Sequence, residues 1–567
     1  MSELLTAVAI IFIVAGPFLL VANRYDLPAA PLLIVAGIVA GAFVDPDVAL
    51  ELAQFGIALL VFTFGVGIRL STVEPVLADS ELAALGQILV VGSLGVGFGL
   101  LFGLPAEEAL FLGVAAALSS TIVATALLES EIRTNLVQGR LGQSIQFVQD
   151  LFAVGFVLVV GAGVFELDPI VLQIGYGVLF LVAAVFVNRY VFDLVGRLAG
   201  DSDELMIVGV VSLLVVFMGA AAVAEVPIVV GAFAAGLAVR YDPAEYLGLL
   251  RGLESLRDFF VTIFFATVGA LVVLPFVQLG VAESIEKLTL VAGLVVLTVL
   301  LKPAVTTAIL IARGYEARTA TLTGLSTDQV SEFALIIAIQ ALLIEWLSEA
   351  VFDAIILAAA VTMITSTVTQ RYNEEIYRWL ADRGVLSESH GKIDELSDVP
   401  PDLADHVIVL GYGRKGKRMV ETLEALDHPY VVVENDPALR EDIRADCEAY
   451  VFGDAMESYT WEKANVDETR VIVSVSSAAE VSWRLLDAGF DADLVLRARD
   501  ERTALELLDA GATYVAVPDL LAGEGLIEQL RALLDGERTP EELRSDGLAE
   551  LEADSGLRPQ RQLRSRE

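Results

Sequence analysis

Apolar residues along this chain fall into long runs rather than into the short alternating patterns of a soluble core. On a criterion of about 20 residues for one membrane crossing, thirteen such runs lie between residues 4 and 369. They occupy residues 4–22, 28–44, 51–70, 83–103, 107–128, 139–163, 167–188, 204–224, 226–239, 258–274, 288–312, 319–345 and 350–369. The pattern predicts a multi-pass α-helical membrane domain of about 13 helices over residues 1–383, in contact with membrane lipid.

The loops between the runs alternate in charge. Arginines follow the odd-numbered runs, as at Arg24, Arg133, Arg240 and Arg371, whereas Lys287 is the one basic residue that follows an even-numbered run. Basic residues accumulate in the short cytoplasmic loops of membrane proteins. We therefore predict an N-terminus outside the cell and a C-terminal region in the cytoplasm of a protein of the cell membrane.

A polar stripe interrupts the sixth run. Gln143, Gln146 and Asp150 stand at i, i+3 and i+7, so they share one helix face beside Gln149. A charge in the hydrocarbon core costs about 2.5 kcal/mol or more, which makes such an acid a candidate functional site. Lys302, in the middle of the eleventh run, is the predicted partner of Asp150. The alternative is a structural aspartate neutralised by protonation or by a neighbouring cation.

Two short hydroxyl motifs stand in the fifth and twelfth runs, Leu118-Ser119-Ser120-Thr121 and Leu325-Ser326-Thr327-Asp328. The two runs are seven runs apart along the chain. Because seven is odd, they cross the membrane in opposite directions, so the two copies have opposite topology. Matching interruptions of this kind predict inverted repeats in which two discontinuous helices unwind and cross, leaving backbone groups free to meet an ion. The alternative is a pair of unbroken helices whose hydroxyls bond back to the i−4 carbonyl.

Two acids follow the second of these motifs, at i and i+4 of the twelfth run. Asp328 and Glu332 could coordinate a cation or could pair with cytoplasmic arginines, and the sequence leaves both readings open for Glu332. We expect Asp328 to have a secondary role.

The chain beyond the apolar runs has the pattern of an α/β domain. After a linker at 384–402, a strand runs into Gly411-Tyr412-Gly413-Arg414-Lys415-Gly416, a helix follows, and a second strand ends in Glu434. This GxGxxG turn in its strand-turn-helix context predicts a nucleotide at the helix N-terminus, with the acid on the ribose hydroxyls. A carboxylate there repels a 2′-phosphate, which favours NAD(H) or AMP over NADP(H). We predict a cytoplasmic Rossmann-like domain over 403–535 and a disordered tail over 536–567.

Charge and cysteine content narrow the function further. The net charge of −39 argues against nucleic acid as a partner, and it suggests a surface adapted to high salt, as in halophilic proteins. Cys447 is the single cysteine. The chain therefore forms no internal disulfide, and the sequence predicts no metal site apart from the transported cation.

Taken together, the membrane motifs resemble the monovalent cation:proton antiporter family, which includes the Kef potassium efflux systems and bacterial sodium/proton exchangers. The motifs that carry the resemblance are Ser119-Ser120-Thr121, Gln149-Asp150, Gly231–Gly236, Lys302 and Gln329-Val330-Ser331-Glu332-Phe333. The glycine turn with Arg414, Glu434 and Gly453-Asp454-Ala455 is similar to the TrkA-N or RCK domain that regulates potassium channels and transporters.

The resemblance implies a secondary antiporter rather than an enzyme, in which Asp150 alternately holds a cation or a proton. It implies that the crossed helices frame this site with Ser119, Ser120, Thr121, Gln149, Lys302, Gln329 and Glu332. The Gln149-Asp150 pair is similar to the Kef pattern and points to K⁺, with Na⁺ as the alternative. An NAD(H), AMP or ATP type of nucleotide would regulate transport in a homodimer. Ser331 departs from the glycine that is usual before Glu-Phe, and gating by glutathione is left open.

Two other functions remain as alternatives. A potassium channel gated by the same kind of domain would need a TVGYG-like filter between membrane helices, but Gly411-Tyr412-Gly413 follows a soluble strand. A membrane protein that senses nucleotide without moving an ion is the second alternative.

Overall fold

The computed structural model of the chain describes residues 2–25, 27–67, 77–133, 136–161, 167–199, 202–240, 247–386 and 390–555. They form two compact units, of which the first comprises the residues up to Lys392 with Asp436–Ala438 and the second comprises the other residues from Ile393 onward. The helices of the first unit are α1 Ser2–Tyr25, α2 Ala29–Ala40, α3 Pro46–Gly67, α4 Leu77–Gly86, α5 Gly92–Leu101, α6 Ala106–Ala117, α7 Thr121–Leu127, α8 Glu129–Arg133, α9 Val137–Gly161, α10 Leu167–Phe186, α11 Phe192–Ala199, α12 Asp203–Val223, α13 Ile228–Ala238, α14 Leu247–Ala270, α15 Val281–Val296, α16 Lys302–Arg313, α17 Ala317–Leu325, α18 Glu332–Leu343, α19 Glu349–Arg371 and α20 Asn373–Asp382.

Every predicted apolar run contains helix. Within the described ranges, nine helical stretches are long and apolar enough to cross a membrane by length and composition. The remaining four predicted runs correspond to the shorter apolar helices α2 and α13, to α14, and to the α17–α18 pair. The predicted multi-pass helical domain is therefore confirmed, and the orientation with the N-terminus outside stays a prediction.

The fifth and twelfth runs are both broken. Helix α6 ends at Ala117 and α7 begins at Thr121, while α17 ends at Leu325 and α18 begins at Glu332. The discontinuous helices predicted from the hydroxyl motifs are present, and the alternative of two unbroken helices is wrong.

A second pair of irregularities repeats with the same offset of seven runs. A π-helical turn at Gln87–Val91 joins α4 to α5 in the fourth run, and another at Leu297–Leu301 joins α15 to α16 in the eleventh. Such turns insert a residue into a helix and are frequent at functional sites. These two turns correspond between the halves of the bundle, whereas a third, at Val187–Val191, has no such counterpart among the described helices. The sequence did not indicate these turns.

The small residues of the ninth run allow close packing. An added Cβ at Gly236 would lie 2.2 Å from the carbonyl oxygen of Phe62, and one at Gly231 would lie 2.6 Å from that of Phe217. Without side chains at these positions the backbones of α13, α3 and α12 approach closely, as small residues permit in membrane bundles.

Lys287, the exception in the charge alternation, is not a loop residue. It lies within α15, only 3% exposed, and its ammonium pairs with Asp353 of α19 at 2.5 Å. The same Nζ donates to the carbonyl of Val273 at 3.0 Å. Because the charge is neutralised inside the bundle, Lys287 does not count against the predicted topology.

The second unit is built on a parallel sheet. Its strands are β1 His406–Leu410, β2 Tyr430–Glu434, β3 Tyr450–Phe452, β4 Thr469–Ser474, β5 Asp493–Arg497 and β6 Tyr514–Ala516, in the order β3-β2-β1-β4-β5-β6. The helices are α21 His390–Leu396, α22 Arg414–Ala425, α23 Arg440–Asp446, α24 Ser458–Lys463, α25 Ala479–Ala488, α26 Glu501–Asp509, α27 Pro518–Leu534 and α28 Pro540–Ser555. This is the strand order of a Rossmann-type sheet, as predicted.

The structure differs from the predicted linker and tail. The predicted linker residues from Ile393 to Asp402 belong to the second unit, and the backbones of Asp398 and Tyr450 exchange two hydrogen bonds of 2.8 and 2.9 Å. In the predicted disordered tail, α28 begins with a capping box in which Thr539 and Glu542 bond each other reciprocally. The disorder was predicted from the acidic composition of the tail, whereas residues Pro540–Ser555 form a helix. Residues 556–567 of the tail lie outside the described residues.

Candidate functional site

The two helix breaks meet in the interior of the first unit. The Ser119 hydroxyl donates to the carbonyl of Thr327 at 3.0 Å, and the Gln329 amide donates to the carbonyl of Ser120 at 3.2 Å. All four residues are fully buried. The structure thus brings Ser119, Ser120 and Gln329, which the sequence analysis assigned to one site, close together.

Both helices that leave the crossing begin with a serine cap. Ser120 accepts from the amide of Val123 at the start of α7, and Ser331 accepts from the amide of Phe333 at the start of α18. The hydroxyl of Ser331 therefore has a defined role where the family pattern has glycine. Helices α7 and α18 therefore both begin at the crossing, and each has a partial positive charge at its N-terminus.

Asp150 lies on α9 beside this crossing and is only 1% exposed. The hydroxyl of Thr121, the first residue of α7, donates to its Oδ2, while its Oδ1 has no hydrogen-bond partner. A buried carboxylate oxygen without a donor is costly. The Oδ1 atom of Asp150 can therefore bind a proton or a cation.

Glu332 is the second carboxylate of the crossing. Its Oε1 accepts from the backbone amide of Ile122 at 3.2 Å, and its Oε2 has no hydrogen-bond partner. Negative charge is favoured at the N-terminus of α7 because the free amides of a first turn point toward it. Arg318, on the same helical hairpin, pairs with Glu374 at 2.9 Å instead. For Glu332 the reading as a partner of a cytoplasmic arginine is therefore wrong.

Gln149 organises the break of the fifth run. Its Oε1 accepts from the amide of Ser119 at 2.8 Å, and its Nε2 donates to the carbonyl of Ala117 at 3.2 Å and to Gln87 Oε1. With both ends of the amide engaged, Gln149 positions the unwound backbone beside Asp150.

Gln87 is a site residue that the sequence analysis missed. From the π-helical turn of the fourth run its Nε2 donates to Thr306 of α16 and, at 3.1 Å, to Thr327. It also accepts from Gln149. The signal available in the sequence was a glutamine within an apolar run. In the structure this side chain is fully buried.

Lys302 is fully buried at the first position of α16. Its ammonium donates to the carbonyls of Leu118 and Gln329, each at 2.8 Å, and no ion pair within 4 Å joins it to Asp150. The predicted charge pairing of Lys302 with Asp150 is therefore wrong. The carbonyls that both breaks release from helical hydrogen bonding are the acceptors that the ammonium satisfies.

In the second unit, the glycine turn has the geometry that its sequence predicts. Gly411 has φ +96°, in the left-handed region, and an added Cβ at Gly416 would lie 1.9 Å from the carbonyl oxygen of Gly411. Gly413 precedes the first residue of α22, Arg414, whose side chain is exposed. These close approaches leave no room for side chains at Gly411 and Gly416.

Two acids stand at the carboxyl ends of the neighbouring strands. Glu434, at the end of β2, accepts from the amides of Tyr412 at 2.7 Å and of Asn435 at 2.9 Å. Asp454, just after β3, is buried and accepts from the amide of Met456 at 2.9 Å. The structure thus brings Glu434 directly to the glycine turn and places Asp454 on the adjacent strand of the same edge.

One basic residue at this edge, Arg497, was missed by the sequence analysis. Burial lowers the pKa of Lys415, and the nearby guanidinium groups of Arg497 and Arg414 lower it further. Arg497 ends β5, far from the glycine turn in sequence but at the same edge of the sheet. Arg414, Lys415 and Arg497 therefore lie near one another at this edge of the sheet.

Comparison with known proteins agrees with both parts of the chain. Residues 8–371 match the family "Sodium/hydrogen exchanger, transmembrane", and residues 407–518 match the TrkA-N domain. The chain is 25% identical to the putative cation/proton antiporter YbaL of Escherichia coli (strain K12) over 549 residues, which are 91% of this chain and 95% of YbaL. It is 27% identical to the putative K(+) efflux antiporter KefB of Alkalimonas amylolytica over 543 residues, 90% of this chain and 79% of KefB.

Among solved structures, the sodium proton antiporter MjNhaP1 from Methanocaldococcus jannaschii has a similar fold. The TM-score is 0.52 at 15% identity, covering 66% of this chain and 98% of MjNhaP1. The exchanger match spans well over half of the sequence. The chain therefore belongs to the sodium/hydrogen exchanger family, as a cation/proton antiporter and not an enzyme, with a C-terminal TrkA-N domain.

Proposed function

We propose that this antiporter exchanges K⁺ for protons at Asp150 and that a nucleotide on its TrkA-N domain regulates the exchange. The observation that carries the first part is the free Oδ1 of Asp150, buried where the two helix breaks cross. K⁺ is preferred over Na⁺ because the Gln149-Asp150 pair resembles the Kef pattern and because the similar KefB is described as a K(+) efflux antiporter.

Exchange follows from competition for one carboxylate. A proton on Asp150 removes the charge that holds a cation, and a bound cation lowers the affinity of the carboxylate for a proton. Glu332 Oε2, which also has no hydrogen-bond partner, supplies a second acceptor at the same crossing. If the site opens to one side of the membrane only when one of the two ions is bound, antiport results.

The identity of the cation can be tested in proteoliposomes. We expect an outward gradient of K⁺ to drive proton uptake, followed by an internal pH dye, with a larger initial rate than the same gradient of Na⁺. Choline gradients serve as the control. Equal rates for both cations would contradict the preference for K⁺, and proton flux that is independent of any cation gradient would contradict exchange itself.

The nucleotide part of the proposal rests on the carboxyl edge of the sheet in the second unit. The glycine turn allows close approach of a diphosphate to the N-terminus of α22, and the cations of Arg414, Lys415 and Arg497 favour negative charge there. Glu434 lies beside the turn, where it can accept from ribose hydroxyls as well as from the amide of Tyr412. These features support NAD(H) or another adenine nucleotide.

Substitution of Glu434 tests this assignment. We expect Glu434→Gln to weaken binding of NAD(H) to the full-length protein about tenfold, because hydrogen bonds to a charged acceptor contribute about 1.5–3 kcal/mol. The substitution should also reduce the preference for NAD(H) over NADP(H), measured by isothermal titration calorimetry in detergent. Glu421→Gln, at an exposed position of α22, is the control, and equal affinities for all three proteins would refute the role of Glu434.

A further inference from the structure

We propose that Asp328 is a second ion-binding carboxylate of the transport path, distinct from Asp150. It lies in the unwound segment between α17 and α18, and its side chain is fully buried. Neither carboxylate oxygen has a hydrogen-bond partner. The inference rests on the proposed exchange at Asp150 and adds a place where a monovalent cation or a proton is held along the same path.

The polar groups near Asp328 donate their hydrogen bonds to other acceptors. Ser366 and Thr369 of α19 and the ammonium of Lys302 are its neighbours. Ser366 donates to Gln329 Oε1 at 3.2 Å, Thr369 donates to the carbonyl of Thr365 at 3.1 Å, and Lys302 donates to two backbone carbonyls. Asp328 therefore lies beside two hydroxyl groups, while the hydrogen bonds that these groups donate go to other acceptors and neither oxygen of Asp328 has a hydrogen-bond partner.

Such a set of groups suits a monovalent cation. Carboxylate, hydroxyl and carbonyl oxygens are the atoms that replace the hydration shell of K⁺ when it enters a protein. A carboxylate that is buried without a donor needs a positive charge or a proton to offset its desolvation.

The number of buried charges at the crossing also indicates that more than one cation or proton is needed there. Three buried carboxylates, Asp150, Asp328 and Glu332, and one buried ammonium, Lys302, lie on the two unwound segments and the helices beside them. The other charged groups on the helices packed around them are engaged elsewhere, since Arg318 contacts Glu374 and Lys287 contacts Asp353. Two further positive charges are needed for neutrality among these described residues, so a single ion at Asp150 is not enough.

Asp328 lies toward one end of the path. Ser366 and Thr369 belong to the last two turns of α19, which ends at Arg371, and from there the chain continues to the cytoplasmic TrkA-N domain. On α9, one turn before Asp150, both amide atoms of Gln146 are buried without a partner. These unpartnered polar groups extend the site from Asp150 toward the cytoplasmic ends of the helices, which places Asp328 at an inner position.

The test is the stabilisation of the full-length protein in detergent by K⁺, measured as the shift in Tm between KCl and choline chloride at equal ionic strength. In Asp150→Asn the shift should be reduced but still present, because Asp328 remains. In Asp150→Asn/Asp328→Asn it should be lost, and Asp328→Glu should retain it. A pH series in choline chloride, run on the same proteins, distinguishes a site for protons from a site for K⁺.

The transport assay separates this inference from the exchange mechanism. Asp328→Asn should still exchange, with a severalfold higher apparent KM for K⁺ on the cytoplasmic side, whereas continued exchange by Asp150→Asn would refute the proposed function instead. A purely structural role for Asp328 would lower Tm in choline chloride without changing the shift produced by K⁺ or by pH. That result, or a wild-type KM in Asp328→Asn, would overturn the inference.

Discussion

Replacement of Asp150 by asparagine should reduce cation/proton exchange by at least about 100-fold, the size of effect that follows loss of a proton-carrying group. The amide has nearly the same shape and can still accept from Thr121, whose hydroxyl contacts the carboxylate in the native protein. It cannot be protonated near neutral pH, and it offers a cation no charge. The substitution therefore removes the competition between the two ions while leaving the packing of α9 intact.

The measurement is the initial rate of proton flux per folded molecule in proteoliposomes, with protein content checked by size-exclusion chromatography. Asp353→Asn is the matched control, since Asp353 is an equally buried acid on a spanning helix but pairs with Lys287 away from the helix crossing. This control should lose stability, by about 3–5 kcal/mol for a broken buried pair, yet retain exchange. Undiminished exchange by Asp150→Asn, with an unchanged pH profile, would refute the mechanism.

The helix breaks were predictable because their sequence signal is local. Hydroxyl residues in mid-membrane, repeated seven runs apart, mark the positions where α6 and α17 end. A chain can leave helical geometry at membrane depth only where its free backbone groups find partners inside the protein. The pattern therefore indicated both breaks, and the opposite topology of the two runs stays a prediction.

The partners of the buried lysines were not predictable, because they depend on contacts between residues far apart in sequence. Lys302 bonds to carbonyls that lie 184 and 27 residues away. Lys287, which looked like a loop residue, pairs with an acid 66 residues away. Charge alone suggested an ion pair for Lys302, but backbone carbonyls released by the breaks carry no sequence signal.

At the carboxyl edge of the sheet in the second unit, some residues of the proposed nucleotide site were likewise predictable from the sequence and others were not. The turn from Gly411 to Gly416 and the acid at Glu434 follow from a local strand-turn-helix pattern, and the structure has them together. Arg497 joins this edge only because β5 and β1 are parallel strands of one sheet, both adjacent to β4. Topology, rather than spacing in the sequence, places its cation near Lys415.

Replacement of Lys302 by methionine should abolish exchange and lower stability. The ammonium holds the two breaks together by its bonds to Leu118 and Gln329. Its loss leaves two buried carbonyls without a donor, at about 1–3 kcal/mol each, and leaves Asp328 without its positive neighbour. The two unwound segments would then separate or take up water, so the geometry around Asp150 would be lost even though Asp150 itself is unchanged.

Lys287→Met is the matched control for this last substitution, because it removes another buried ammonium that bonds to one carboxylate and one carbonyl. Both variants should lower Tm, but exchange per folded molecule should persist in Lys287→Met and be absent in Lys302→Met. If both variants transport equally well, the role of Lys302 is limited to stability. If both lose transport, the effect comes from any disturbance of the bundle, because the two lysines differ chiefly in whether their carbonyl partners belong to the crossed helices.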